Sequence, residues 1–317
     1  MTQDREYHRP VMADEVVELI GPVPPGVVVD ATFGGGGHSM RLLETLSSDH
    51  RVLGIDRDPE AVAGNPARDW KEGGRLQLVR GNFADLTTIL SEANVGAPVG
   101  VLFDFGVSSH HLDDPARGFS YRHGGPLDMR MDPDQQLTAD DLVNQLEASE
   151  LGALIRQFGE DPMASRIAAA IVRARPIHDT AVLAEVIAAA VPPSRTRESG
   201  RRRLHPARRT FQALRIVVNQ ELESVEQGID QALDLLAPGG RVVAISYHSL
   251  EDRIVKRRFA ASIDNCICPP DLPVCGCGAS PRYRSLTRGA LKPSQSEAVA
   301  NPRARSARLR ALVRVAA

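Results

Sequence analysis

Short apolar runs bounded by turn-forming residues recur at 27–31, 52–55, 76–79 and 99–103, with helix-compatible patterns between them. Such runs, lacking polar alternation, read as strands buried on both faces, and their alternation with helices predicts a parallel sheet with helical crossovers. After about residue 112 the pattern changes. Leu142, Leu146, Leu151, Leu154, Ile155 and Phe158 recur at helical spacing, followed by Ile167, Ile171 and an alanine-rich stretch to Val191, with no strand signal. A helical pattern then runs from Phe211 to Leu236, stops at Pro238-Gly239-Gly240 and yields to a strand-like Arg241-Val242-Val243-Ala244-Ile245. The chain reads as an α/β protein with a discontinuous, doubly wound domain (1–112 and 213–317) interrupted by an all-helical insertion over 113–212. An insertion at the carboxyl end of a strand is expected to overhang the ligand crevice of such a sheet.

The 317 residues, 42% hydrophobic and 25% charged, suffice for a substantial core. The formal net charge of −2 argues at first against a nucleic-acid partner. Splitting the chain reverses this. Residues 1–194 carry 16 basic against 29 acidic side chains, a net of −13, whereas 195–317 carry 22 against 11, a net of +11. No apolar run approaches the ~20 residues of a membrane span, and Met1-Thr2-Gln3-Asp4-Arg5-Glu6 has no signal-peptide character, so a cytoplasmic protein without a membrane partner is expected. All four cysteines, Cys266, Cys268, Cys275 and Cys277, sit in one short stretch. That is no disulfide framework; the two Cys-x-Cys pairs suit either one structural zinc ion or reduced thiols.

The candidate chemistry lies at the strand ends. Asp30-Ala31-Thr32-Phe33-Gly34-Gly35-Gly36-Gly37-His38-Ser39 leaves the first strand and opens a helix, either as a tight turn or as a close backbone approach to a ligand. The dinucleotide fingerprint fails because Ser39 stands where its last glycine belongs. The second strand ends in Asp56, 26 residues after Asp30, where nucleotide sites place an acid for the ribose hydroxyls; Asp58 before Pro59 suits a helix cap. The third leads to Gly81-Asn82-Phe83, an amide and a ring placed to flank adenine, and the fourth ends in Asp104-Phe105-Gly106-Val107. A nucleoside pocket without a pyrophosphate fingerprint favours S-adenosylmethionine over NAD.

With these motifs the chain resembles the bacterial 16S ribosomal RNA (cytosine-N4)-methyltransferases of the MraW type over nearly its whole length. The resemblance runs from His8-Arg9-Pro10-Val11-Met12 through Thr32–Ser39, Gly54–Pro59, Asp104–Ser109, Arg117-Gly118-Phe119-Ser120, Leu127–Asp132 and His205–Ile216 to Tyr247-His248-Ser249-Leu250-Glu251-Asp252-Arg253 and Asn301–Ser306. It implies a class I S-adenosylmethionine-dependent methyltransferase, Rossmann-like, with an inserted helical domain for RNA recognition. The implied reaction moves a methyl group from S-adenosyl-L-methionine to N4 of one cytidine in the decoding centre of 16S rRNA, within the 30S subunit; no DNA partner is implied. Carried over by motif, Gly36, Gly37 and His38 contact the methionine end of the cofactor, Asp56 the ribose, Phe83 the adenine side, and Asp104 the cofactor near the reacting groups. His111 stands where the family uses a glutamine to contact the cofactor, since His110-His111 replaces Pro-Gln.

Methylating an exocyclic amine is a direct displacement that needs no cysteine nucleophile. Cytosine N4 is weakly nucleophilic, so the site must align amine and methyl and accept an N–H hydrogen bond; Asp104 is the candidate acceptor and catalytic residue. The base must leave its stack. Phe105, Phe119, Tyr121 and Tyr247 are candidates either to stack on it or to sit in the core, and His248 with Glu251-Asp252-Arg253 either faces the cleft or opens a helix capped by Ser249. Arg195, Arg197, Arg201, Arg202, Arg203, Arg208 and Arg209, and at the C-terminus Arg303, Arg305, Arg308, Arg310 and Arg314, are expected to meet RNA phosphates.

Overall fold

The computed structural model describes residues 10–63, 73–122, 124–192, 205–263 and 281–315. The chain divides into two compact units, Met1–Gly106 with Leu222–Ala317, and Val107–Glu221. The first unit begins with helices α1 (Ala13–Ile20), α2 (Gly37–Thr45), α3 (Pro59–Ala63) and α4 (Leu86–Glu92), interleaved with strands β1 (Val27–Asp30), β2 (Arg51–Asp56), β3 (Leu76–Arg80) and β4 (Gly100–Asp104). The second unit carries α5 (Ser109–Asp113), α6 (Ala139–Gln145), α7 (Ala148–Gly159), α8 (Ala164–Ala174), α9 (Thr180–Ala190) and α10 (Arg208–Asn219). The chain returns to the first unit with α11 (Glu221–Leu235), β5 (Arg241–Ser246), α12 (Ser249–Ile263), β6 (Tyr283–Ser285), α13 (Gln295–Ala300) and β7 (Arg308–Arg314).

In the first unit seven strands form one sheet in the order β3-β2-β1-β4-β5-β7-β6. Strands β1 to β5 are parallel and β7 runs antiparallel between β5 and β6. This is the class I methyltransferase arrangement, with strand order reversing beside β1 and β4, where α/β sheets open a ligand crevice. The unbroken apolar runs follow from burial on both faces. Val28, Val52, Leu102 and Val243 point into a cluster with Val16, Ile20, Leu42 and Leu43, while their neighbours Val29, Leu53, Val101 and Val242 join Leu86, Ile89, Val225, Ile229 and Phe259 on the other side.

Strands β6 and β7 were not anticipated. Arginines in Arg308-Leu309-Arg310-Ala311-Leu312-Val313-Arg314 read as a basic tail, yet Leu309 and Ala311 are fully buried and Leu309 pairs with Ile245 across the β5–β7 ladder. Its cations are engaged locally. Arg310 forms a two-pronged ion pair with Asp252 of α12 at 2.8 and 3.1 Å, and Arg314 donates to the Leu236 carbonyl.

The second unit is helical around Leu142, Val143, Leu151, Ile155, Ile167, Ile171, Leu183, Ile187, Phe211 and Leu214. It is wider than the expected 113–212, because Val107 and Leu112 pack on this cluster at one end and α10 at the other. The single helix expected from Phe211 to Leu236 is two. Gln220 adopts a left-handed conformation (φ 49°) and its N–H closes the last turn of α10 on Ile216 and Val217, so the chain breaks where the two units meet in sequence.

Candidate active site

Within the first unit the carboxyl ends of β1, β2, β4 and β5 carry Asp30, Asp56, Asp104 and Tyr247. The glycine turn leaves β1 with Gly34 and Gly36 at φ 51° and 77°, conformations that a side chain disfavours, and Gly36 precedes the first residue of α2. Asp56 braces this turn: Oδ2 accepts the Gly34 N–H at 2.7 Å and Oδ1 accepts the Asp58 N–H at 2.9 Å. Asp58 accepts the Glu60 N–H and so opens α3 as a cap.

Next to the turn lies a buried polar row. Asp30 accepts the Ser39 hydroxyl at 2.7 Å and the Thr32 N–H at 3.3 Å. Burial lifts its carboxyl above the ordinary range, although His38, Ser39 and Thr32 pull it down. His38 is buried, and among the described residues neither ring nitrogen has a hydrogen-bond partner, although Nε2 lies 3.5 Å from Asp104 Oδ2. Burial opposes a charge on this imidazole, but Asp104, Asp30 and Glu297 outweigh it and hold the pKa above the ordinary histidine value.

Asp104 is fixed at its backbone, where its N–H donates to Thr32 Oγ1 at 2.7 Å, and at its side chain, where Oδ1 accepts the Tyr247 hydroxyl at 2.6 Å. Its side chain keeps 23% of its surface exposed. Burial and the adjacent Asp104 carboxylate push the Tyr247 phenol well above its usual value, so it stays a proton donor. The Glu251 carboxylate reaches back from α12 to accept the N–H groups of Tyr247 and His248, and lies 3.0 Å from His248 Nε2. The opening of α12 thus rests on His248 and Glu251.

Phe83 stands after β3, half-buried, with its ring 5.6 Å from Phe103 and 5.9 Å from Phe105 and the Arg57 guanidinium 5.8 Å above it. Asn82 is committed elsewhere than beside a base. Its Oδ1 caps the turn at Ala84 and accepts from Arg57, and its Nδ2 donates to Ser224. Phe105 stacks on Phe103 at 5.3 Å in the core, which removes it as a base-stacking candidate.

In the second unit, His111 is buried in the first turn of α5. Its Nδ1 accepts the Ser108 N–H while Ser108 Oγ accepts the His111 N–H, and its ring stacks on Phe119 at 4.9 Å. It acts as the third residue of a capping box, a place usually held by Glu or Gln. Tyr121 stacks on His205 at 4.8 Å and meets Phe211 edge-on. Burial and the nearby Arg122 lower the pKa of His205. Arg208 and Arg209 are exposed on α10, whereas Arg195, Arg197, Arg201, Arg202, Arg203 and the four cysteines lie outside the described residues. No helix among the described residues is long and apolar enough to cross a membrane.

The first unit suits a nucleoside-bearing sulfonium in its chemistry. It offers a glycine turn at a helix start, a buried imidazole without a hydrogen-bond partner among the described residues, the carboxylates of Asp30 and Asp56 at the turn, and a half-buried ring. The phenol bond to Asp104 escaped sequence reasoning, because Tyr247 and Asp104 are 143 residues apart.

The model of the MraW methylase family matches residues 5–315. The chain is similar to the ribosomal RNA small subunit methyltransferase H of Symbiobacterium thermophilum, 49% identical over 314 residues that cover 98% of both chains. It is also similar to the protein of that name from Geobacter sulfurreducens, 49% identical over 307 residues, 96% of this chain and 97% of that one. A solved rRNA methylase from Streptococcus thermophilus aligns over 96% of this chain and 93% of its own at 12% identity, with a TM-score of 0.39, too weak a likeness to carry an argument. On the strength of the full-length match and these two relatives, the chain belongs to the MraW methylase family.

Proposed function

We propose that this methyltransferase modifies small-subunit ribosomal RNA at N4 of one cytidine in the decoding centre, with S-adenosyl-L-methionine as the methyl donor and the 30S particle as the substrate. The carrying observation is Asp104, a partly exposed carboxylate at the end of β4, held at its backbone and at one oxygen beside a buried imidazole. The cofactor supplies an electrophilic methyl on a sulfonium. Gly36, Gly37 and His38 would hold its amino-acid end, Asp56 its ribose and Phe83 its adenine side.

The chain's own task follows from the weakness of the nucleophile. The cytosine amine donates its lone pair into the ring, so polarising one N–H toward a fixed acceptor raises electron density on nitrogen as the N–C bond forms. Asp104 is that acceptor, and the displaced proton leaves through it. The Asp104 and Asp30 carboxylates favour a proton on His38 against the cost of its burial, and a protonated imidazole there would keep the two carboxylates compatible. The second unit binds RNA, with the exposed Arg208 offered to phosphates and beside it Arg209, which is exposed while donating to the Glu160 carbonyl at 3.2 Å.

Transfer of tritium from labelled S-adenosylmethionine into 30S particles, comparing wild type with Asp104→Ala, tests the reading. Label in 16S rRNA with wild type and a loss of at least ~100-fold in D104A is expected. Absence of label with wild type, under conditions where the cofactor binds, overturns it.

A further inference from the structure

We propose that Tyr247 is a positioning residue for methyl transfer: its phenol locks the Asp104 carboxylate so that Oδ2 is the oxygen presented to the target amine. The inference rests on the reading of Asp104 given above. A carboxylate turns almost freely about its terminal bond, since that torsion is broad and two-fold. At the Asp104 side chain this freedom is removed by the 2.6 Å bond from Tyr247 to Oδ1, while the N–H bond to Thr32 fixes the backbone that carries it. Oδ2 lies 3.5 Å from His38 Nε2, an ion-pair contact when the imidazole is protonated, and among the described residues it accepts no closer hydrogen bond.

Tyr247 is itself held. The Glu251 carboxylate, almost fully buried, accepts its backbone N–H at 2.7 Å, so the start of α12 sets the phenol and the phenol sets the end of β4. A donor anchored at the end of β5 and aimed at the carboxylate of β4 has a plain packing alternative, a ring that only fills space. The short oxygen–oxygen distance speaks against it, because a space-filling phenol has no need of a charged acceptor. Fixing the acceptor matters because the amine, the methyl carbon and the sulfur must be collinear, and misplacement by about 1 Å costs on the order of 100-fold in rate.

The test is steady-state methylation of 30S particles by the full-length Tyr247→Phe, Asp104→Asn and doubly substituted proteins, with S-adenosylhomocysteine binding followed by calorimetry. Y247F should lower kcat by about 10- to 100-fold while KM for the particle and the Kd for S-adenosylhomocysteine move less than about two-fold. The double variant should be no slower than D104N alone, since the phenol acts only through that carboxylate. Wild-type kcat in Y247F, or a double variant slower by the full Y247F factor, overturns the positioning role while D104N remains impaired. Full activity in D104N overturns instead the reading of Asp104 itself. If Y247F does not melt cooperatively, Tyr247→Met, which fills space without donating, carries the same expectations.

Discussion

Asp56 Oδ2 accepts the Gly34 N–H at 2.7 Å, so the end of β2 holds the turn that leaves β1. One carboxylate thereby both shapes the glycine turn and stands where a ribose acceptor belongs. Asp56→Ala should weaken S-adenosylhomocysteine binding by roughly 10- to 100-fold, the worth of one or two charge-assisted hydrogen bonds. Asp56→Asn, which keeps one acceptor oxygen, should lose less. Calorimetric titration decides, and equal binding by D56A and wild type would remove Asp56 from the site.

The raised pKa of His38 makes stability depend on pH. The folded chain holds a proton on this imidazole to higher pH than the unfolded chain does, so the contribution is complete below the unfolded value of about 6.5 and is lost as pH rises through the folded one. Wild-type stability to urea should therefore decline from about pH 6.5 upward, and His38→Gln should flatten that decline. Parallel slopes for the two proteins would show that His38 carries no extra proton.

His111 offers a clean separation of a capping role from a ligand role. Gln can accept from the Ser108 N–H as the histidine Nδ1 does, so His111→Gln should melt like wild type. His111→Ala should lose about 1 kcal/mol, the usual worth of a cap. If S-adenosylhomocysteine affinity also falls in H111A but not in H111Q, the residue serves the cofactor as well. Unchanged stability in H111A would contradict the capping account.

The arginines divide into two groups. Arg310→Ala breaks the pair with Asp252 and should cost about 1–3 kcal/mol of stability with little change in RNA affinity. Arg208→Ala, on the exposed face of α10, should lower the salt slope of 30S binding by about one unit and leave stability nearly unchanged, whereas Arg209→Ala should lower the slope alike and also lose the bond to the Glu160 carbonyl, about 1 kcal/mol. A salt slope that falls in R310A and not in the α10 variants would reverse the assignment.

Much of the parallel sheet was legible because Val28, Val29, Val101 and Leu102 are apolar whichever face they meet, so burial on both sides writes itself into composition. Strand β7 was not, because Arg310 directs its charge to Asp252, a partner 58 residues away that no local pattern reveals. The break at Gln220 was hidden for a different reason. Apolar spacing continues across it, and only the backbone turns. Asp56 and Asp104 were found from strand-end logic, whereas the use of Asn82 as a cap and Phe105 as core depended on neighbours in space.

The most direct measurement is the identity of the methylated nucleoside. Tritium delivered from S-adenosylmethionine to 30S particles, followed by digestion of the 16S rRNA and chromatography, should appear in N4-methylcytidine at a single site in the decoding centre, and Asp104→Ala should abolish it. Label in a different base, or at a ring carbon of cytosine, would contradict the account.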